Sequence, residues 1–312
     1  MSSSRLEYHL LSRLKFKQLK LLVTVDKQRN ILGASKELNM AQPAATKYIR
    51  DLEEIFEAEL FKRSSRGVTP TVYGEVVINH AKLILSQIQH VSEEITSLKQ
   101  GITGRIKVGT LLAASPLLIP ECLLVLKKER PTIYVTVIEG TNDILMPALR
   151  NGELDVVIGR LPEFREREDL QQNILYNEPV SVVVRQGHPL TRKKSLSFKD
   201  ISNQDWILPL AQTSLRRQIE FEFRNAGFEP PADAVESISI LTNHKLLIDT
   251  DMIAVMPYQV ADNYSDLVRL PISLESAMSP IGITTRIGSD HSPTLSYFIE
   301  TLKKVSKEMT VQ

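Results

Sequence analysis

The 312-residue chain has a single cysteine, Cys122. One thiol can neither close an internal disulfide nor hold a metal by itself, so a disulfide framework and a cysteine-built zinc site are both excluded, in keeping with a reducing compartment. Long apolar runs are also missing. Nowhere do eighteen apolar residues follow one another, and the opening "MSSSRLEYHLL" has no apolar stretch of signal-peptide length. The expectation is therefore a cytoplasmic chain with neither an export signal nor a membrane partner. The six histidines show no metal-ligand spacing and no glycine-rich phosphate loop occurs, so no metal and no cofactor are expected. Catalytic residues are not expected either. Cys122 falls on the apolar side of a helix with Leu118, Val125 and Leu126, which makes it an inert thiol, and His188 precedes a proline in a loop where hydrogen bonding explains it. In "GELDVVIG", Asp155 opens a buried strand with no second carboxylate placed beside it.

What is present is an ordinary soluble composition, 42% hydrophobic and 24% charged, in a chain long enough for two or three domains. The net charge of +1 conceals an asymmetry: 13 Lys and Arg stand against 8 Asp and Glu before Pro70, and 25 against 29 from there on. A basic head thus precedes a faintly acidic body, and a polyanion suits the head alone.

Within that head, "LKFKQLKLLVTVDK" spaces Phe16, Leu19, Leu22 and Val23 as one side of a helix, and Ala34 with Leu38 repeats the i, i+4 relation on a shorter one. Asn39 and Met40 leave room for a tight turn. Then "AQPAATKYIRDLEEIF" opens a third helix, where Pro43 suits the first turn because its missing N–H would be unpaired there. Ala44, Tyr48, Leu52 and Ile55 are expected to form its buried side, and Gln42, Thr46, Lys47 and Arg50 its outward side, all able to donate hydrogen bonds to phosphates or base edges. "AELFKRSSRGVTPT" follows as a two-stranded wing anchored by Leu60 and Phe61, with Lys62, Arg63, Arg66 and Gly67 at its tip.

These motifs, "ASKELNMAQPAATKYIRDLE" and "LFKRSSRGVTPTVYGE" with their spacing, resemble the winged helix-turn-helix of LysR-type transcriptional regulators. Weaker similarity continues through "IKVGTLLAASPLLIP", "RPTIYVTVIEG", "GELDVVIGRLP" and "MIAVMP", so the resemblance spans nearly the whole chain. It implies DNA-binding roles for Gln42, Pro43, Thr46, Lys47, Arg50, Arg63 and Arg66. Three positions depart from the family pattern. Ala41 stands where Ser usually caps the helix, a loss of about 1 kcal/mol. Thr46 replaces the usual Ser, keeping a hydroxyl and adding a methyl suited to thymine. Glu57 stands where Gly commonly ends the helix, so a left-handed residue there would be strained.

From Val72 to Gln100, Val77, Ala81, Ile84, Ile88, Val91, Ile95 and Leu98 step by fours and threes, a heptad seam. A helix of that length runs roughly 43 Å at about 1.5 Å per residue, more than a small head can cover, so a second copy is expected to pair along it. The competing reading is an amphipathic helix packed on its own domain. The resemblance also implies a homodimer through antiparallel linker helices, assembly to a homotetramer, and contact with RNA polymerase.

After Gly101-Ile102-Thr103-Gly104, whose glycines mark a hinge, the pattern changes to an α/β fold with a mostly parallel sheet. Strands are predicted at 105–110, 132–138 and 154–159 with helices near 116–130 and 142–151. A second unit has strands near 180–185, 206–209, 234–238 and 252–256 and helices near 213–226 and 240–249. The resemblance implies a two-lobed, periplasmic-binding-protein-like effector domain joined to the winged head by the long linker helix. The helix near 292–308 would return to the first lobe. The expected boundaries are 14–71 for the head, 72–100 for the linker and 101–312 for the effector domain, with lobe I at about 101–172 and 272–312 and lobe II at about 173–271.

Ligands in such lobes sit at the carboxyl ends of strands, before helix N-termini. That places Ala114, Ser115, Thr141, Asn142, Arg160, Thr213 and Ser214 at an effector site suited to a small, anionic metabolite. Each also has a plainer explanation: Ser115 and Thr213 as helix caps, Asn142 as a turn residue, Arg160 as a surface charge. A regulator binding double-stranded operator DNA and a small effector accounts for head, linker and body together. A cytoplasmic solute-binding protein accounts only for the body, and an enzyme on the same fold for neither end.

Overall fold

The computed structural model describes residues 3–64, 67–99, 103–161, 169–274, 279–288 and 291–310. The chain divides into two compact units, Met1–Gln100 together with Arg150–Glu153, and Gly101–Leu149 with Leu154–Gln312.

The first unit is helical with one hairpin: α1 (Ser3–Arg13), α2 (Phe16–Gln28), α3 (Ile31–Glu37), α4 (Gln42–Phe56), β1 (Phe61–Ser64), β2 (Gly67–Pro70) and α5 (Val72–Lys99). Its core joins Leu19, Leu22 and Val25 of α2, Ala34 of α3, Leu52 of α4 and Leu60 before the wing. Helix α1, which packs on α4, is an element that the periodicity did not reveal. Phe16, expected in the core stripe, is 62% exposed at the start of α2, and Leu21 and Val25 are buried instead. Helix α4 is also rotated from expectation. Its buried residues are Ala45, Ile49, Leu52 and Ile55, whereas Ala44 is exposed and Tyr48 half-buried. Two adjacent stripes of α4 are apolar, and the choice between them belonged to the packing of α2 and α3, which spacing within α4 does not encode.

Helix α5 starts on the head and outgrows it. Ile78 and Ala81 are buried in the head core and Lys82 Nζ pairs with Asp26 of α2 at 3.3 Å, but Ile84, Ile88, Val91, Ile95 and Leu98 are 39% to 63% exposed. Only the first turns of the heptad seam therefore pack on their own domain. The hinge glycine Gly101, with Ile102, lies outside the described residues.

In the second unit, β3 (Gly104–Thr110), α6 (Leu118–Glu129), β4 (Ile133–Glu139), α7 (Asn142–Arg150), β5 (Val156–Arg160) and β6 (Leu170–Glu178) build lobe I. The chain then crosses to lobe II: β7 (Val180–Arg185), a 3-10 turn (Pro189–Arg192), α8 (Phe198–Ile201), β8 (Trp206–Leu208), α9 (Ser214–Asn225), β9 (Val235–Glu236), α10 (Ile240–Asp249), β10 (Ile253–Pro257), α11 (Tyr258–Asp262) and β11 (Leu267–Arg269). It returns through β12 (Ser279–Arg286) to α12 (Pro293–Thr310), which packs on α6, β3 and β6 of lobe I.

The sheet orders are β4-β3-β5-β12-β6 and β11-β7-β10-β8-β9. Neither sheet is mostly parallel. The crossing strands pair antiparallel, β12 with β5 and β6, and β7 with β10 and β11, leaving parallel pairing to β3 with β4 and β5 and to β8 with β9 and β10. Strand β6 stays in the first sheet through Glu178, so the expected change of lobe at 172 falls inside a strand. Strands β6, β11 and β12 have no counterpart in the sequence-based expectation. Helices cover both faces of each sheet, and β5 is buried along its whole length as a central strand must be.

Candidate nucleic-acid interface and effector pocket

The turn before α4 is made by Asn39 at φ 52°, a left-handed conformation that Asn tolerates, and Met40 N–H closes it on Ser35 O at 2.9 Å. Asn30 caps α3, its Oδ1 accepting from Leu32 N and Gly33 N. Helix α4 lacks such a cap: Ala41 occupies the position and offers no side-chain acceptor. At the other end Glu57 is left-handed, φ 51° and ψ 35°, the strain anticipated for a non-glycine residue there.

With Ala45, Ile49 and Leu52 turned inward, α4 presents Gln42, Pro43, Thr46, Lys47 and Arg50 along a shallow outward concavity that also takes in Asp51 and Glu54. The two acids were not among the expected residues. Their i, i+4 offsets from Lys47 and Arg50 are the signal that could have found them. Beside this helix the wing is a true hairpin, registered Phe61 to Pro70 and Ser64 to Gly67, with Leu60 and Phe61 buried as its anchor. Glu53 Oε1 accepts from Leu60 N at 3.0 Å and Phe61 N at 3.4 Å, tying the wing to α4. Val68 N donates to Arg29 O at 2.9 Å, and Gly67, at φ 122°, approaches so closely that a Cβ there would lie 2.5 Å from that carbonyl oxygen. Lys62 and Arg63 are exposed on β1; Arg66 lies outside the described residues.

Between the lobes of the second unit is a cavity of about 70 Å³. Lobe I contributes Leu111 to Ala113 after β3, Gly140 to Asn142 before α7, and Arg160 at the end of β5. Lobe II contributes Pro209, Thr213 to Leu215, Ile238 and Pro257. The seven expected residues thus divide. Thr141, Asn142, Arg160, Thr213 and Ser214 converge on the cavity. Ala114 does not, being sealed in the lobe I core, and Ser115 turns aside to donate to Glu139 Oε2 at 2.9 Å. The chain after β3 makes a turn in which Leu111, Leu112 and Ala113 reach the cavity, two to three residues earlier than a direct strand-to-helix step would place them.

The plainer explanations are also resolved. Thr213 does cap α9, accepting from Arg216 N at 3.2 Å, while still lining the cavity. Asn142 begins α7 rather than making a turn. Arg160 is no surface charge: it is 5% exposed and its Nη1 donates to Gln218 Oε1 of α9 at 3.3 Å, a bond from one lobe to the other. The hydroxyl of Thr141 and Oδ1 of Asn142 are buried without a hydrogen-bond partner among the described residues. Buried polar atoms left so are costly, and a ligand able to satisfy them gains accordingly. Glu178, buried at the end of β6 within reach of the charge of Arg160, has both carboxylate oxygens without a hydrogen-bond partner among the described residues. Burial raises its carboxyl to about 7, against a smaller opposing pull from Arg160.

Cys122 and His188 hold structural places in the body. Burial pushes the Cys122 thiol up to about 12, far from a nucleophile, and His188 is held by Leu190 N at 3.1 Å and Asp251 O at 3.0 Å.

A winged helix-turn-helix followed by two α/β lobes around a cavity defines a one-component, ligand-responsive transcriptional regulator. The family models agree: residues 16–75 match the bacterial regulatory helix-turn-helix of the lysR family and residues 99–307 the LysR substrate binding domain, and the chain belongs to the LysR-type family of transcriptional regulators. It is 33% identical over 280 residues to the HTH-type transcriptional regulator GbpR of Azospirillum brasilense, covering 88% of this chain and 82% of the relative. It is 28% identical to PcaQ of Agrobacterium fabrum, covering 95% of this chain and 96% of the relative. Among solved structures the fold matches CbnR, a LysR family transcriptional regulator, with a TM-score of 0.62 at 20% identity over 94% of this chain and 99% of that one. It also matches a full-length OxyR variant from Pseudomonas aeruginosa, with a TM-score of 0.60 at 24% identity over 95% of both.

Proposed function

We propose that the regulator binds a two-part operator as a homodimer, placing Gln42, Pro43, Thr46, Lys47 and Arg50 of α4 in the major groove and Arg63 and Arg66 of the wing on the backbone or minor groove beside it. The observation that carries this is the outward face of α4, where four hydrogen-bond donors stand clear of a helix whose other side is locked into the head core. Gln42 and Thr46 would discriminate bases, and Lys47 and Arg66 would set the salt dependence. Two heads must be held together to read two half-sites, and the exposed stripe of α5 from Ile84 to Leu98 is the surface for pairing. Assembly to a tetramer, contact with RNA polymerase and a cytoplasmic location accompany this reading as properties implied by family membership.

The effector in this proposal is a small anion bound between the lobes and released unchanged. Arg160 and the N-termini of α7 and α9 support negative charge there. To act as a switch it must favour one quaternary arrangement over another, since equal affinity for both would shift nothing. Band-shift titration of the full-length protein on fragments from beside its own coding region tests the DNA half. Retarded, salt-sensitive, sequence-selective binding is expected, and binding that ignores sequence and survives Lys47→Ala with an unchanged salt slope would remove α4 from the interface.

A further inference from the structure

The pocket's donor and acceptor set is narrow enough to name the kind of molecule it takes, an inference that rests on its being the effector site. We propose that the effector is a 2-hydroxy carboxylic acid with a compact, branched aliphatic body, and that Thr141 and Asn142 are the residues selecting its hydroxyl-bearing end.

Charge comes first. Among the described residues, Arg160 is the sole ionisable one lining the cavity, and it is buried. With the N-termini of α7 and α9 opening on the same space, a carboxylate is stabilised from several sides. An ammonium would be buried beside a guanidinium with no carboxylate in the described lining to balance it. Glu178, coupled to Arg160, is not part of that lining, and its own burial already favours the neutral carboxyl. Amino acids are therefore rejected.

The hydroxyl follows from the unsatisfied atoms. Asn142 Oδ1 accepts only, so a ligand must bring it a donor, and a carboxylate has none. Thr141 Oγ1, in a residue 5% exposed, can donate to a carboxylate or accept from a hydroxyl. The two are consecutive in sequence, so the ligand's hydroxyl belongs within a bond or two of its carboxyl carbon.

The rest of the lining sets the body. Leu111, Leu112, Leu215, Ile238, Pro209 and Pro257 are aliphatic or proline. Of the two hydroxyls in the lobe II part of the lining, that of Thr213 is already engaged by Leu210 O and Arg216 N, which leaves Ser214 to serve a polyol whose further hydroxyls would otherwise be buried unpaired. Among the described residues no aromatic ring lines the cavity to stack on a planar ligand. At about 70 Å³ the space is about half of one that takes up benzene, roughly 150 Å³. Entry of even a compact acid therefore separates the lobes, and its carboxylate replaces Gln218 on Arg160.

Four probes test this on the full-length protein by isothermal titration: 2-hydroxyisocaproate, its deoxy analogue 4-methylpentanoate, leucine, and gluconate. We expect 2-hydroxyisocaproate to bind at least about tenfold more tightly than 4-methylpentanoate, the discrimination a lost hydrogen bond to a buried acceptor produces, with leucine and gluconate weaker still. Asn142→Ala should abolish the preference for the hydroxy acid while leaving 4-methylpentanoate affinity within about twofold. No preference, or no heat from any of the four at millimolar concentration, overturns the ligand class. If gluconate or leucine binds instead and Thr141→Val weakens it, the class falls and the effector site stands. A probe that binds indifferently to both substitutions removes the pocket itself from the effector reading.

Discussion

Glu57 and Glu178 are two acids in places that suit them badly. Glu57 closes α4 in the left-handed region, where a Cβ clashes with the backbone at a cost of roughly 1–2 kcal/mol, a strain glycine escapes. Part of that gain is offset because glycine loses more backbone freedom on folding. Glu57→Gly is thus expected to raise the head's stability by about 0.5–1 kcal/mol, seen as a higher midpoint for its unfolding transition in urea. Glu178 acts through protons. Its carboxyl lies near 7 in the folded chain against an ordinary value of 4.5, so the folded state holds the proton more tightly than the unfolded one. The contribution to stability is fully present below about pH 4.5 and is lost as pH rises through 7, the reverse of a salt-bridged carboxylate. Glu178→Gln should flatten that decline, leaving the variant more stable than wild type at pH 8 and little changed at pH 4.5. Thermal scans at the two values decide it: equal loss in both proteins across the window means that Glu178 does not titrate there.

At the scale of an element, α4 illustrates how little separates a core face from an outward face. Residues 44, 48, 52 and 55 and residues 45, 49, 52 and 55 are both helical stripes, their centres differing by about a seventh of a turn. Leu52 and Ile55 belong to both, and neighbouring helices select the second. The outward residues survive that rotation because Lys47 and Arg50 lie away from either stripe and Gln42, the first residue of the helix, is exposed at its end. Lys47→Ala should weaken operator binding uniformly across sequences and reduce the salt slope by about 1, whereas Gln42→Ala should change which sequence is preferred. Competition band shifts at several salt concentrations separate the two effects. Should Gln42→Ala lower all affinities in parallel, its place is on the phosphates and not on a base.

For the whole molecule, the decisive surface is the uncovered part of α5. A row of five apolar residues from Ile84 to Leu98 is long for a solvated helix face, and in the proposed dimer its burial against a second copy would offset the cost of holding two heads together. Ile88→Lys places a charge at the centre of that row and should reduce dimer and operator affinity together, by an unpaired buried charge worth several kcal/mol. Light scattering against concentration, alongside operator titration, is the measurement. A wild type that is monomeric at micromolar concentration, or an Ile88→Lys variant that associates normally, would show that pairing lies elsewhere.

The sequence by itself determined the kind and order of most elements, though not of α1, β6, β11 or β12, because periods of 3.6 and 2 residues, a proline at a helix start and a glycine at a wing are local facts. It also determined that a basic head precedes a two-lobed body, and it marked Thr141, Asn142, Arg160, Thr213 and Ser214 by their places before helices and after strands. The tertiary structure alone decided which stripe of α4 is buried, that β12 in the first sheet and β7 in the second turn half of each sheet's pairings antiparallel, and that Leu111 and Leu112 rather than Ala114 and Ser115 reach the cavity. It alone decided that Arg160 bridges the lobes to Gln218. Strand pairing, helix azimuth and the burial of a charge depend on partners distant along the chain, so no local spacing carries them.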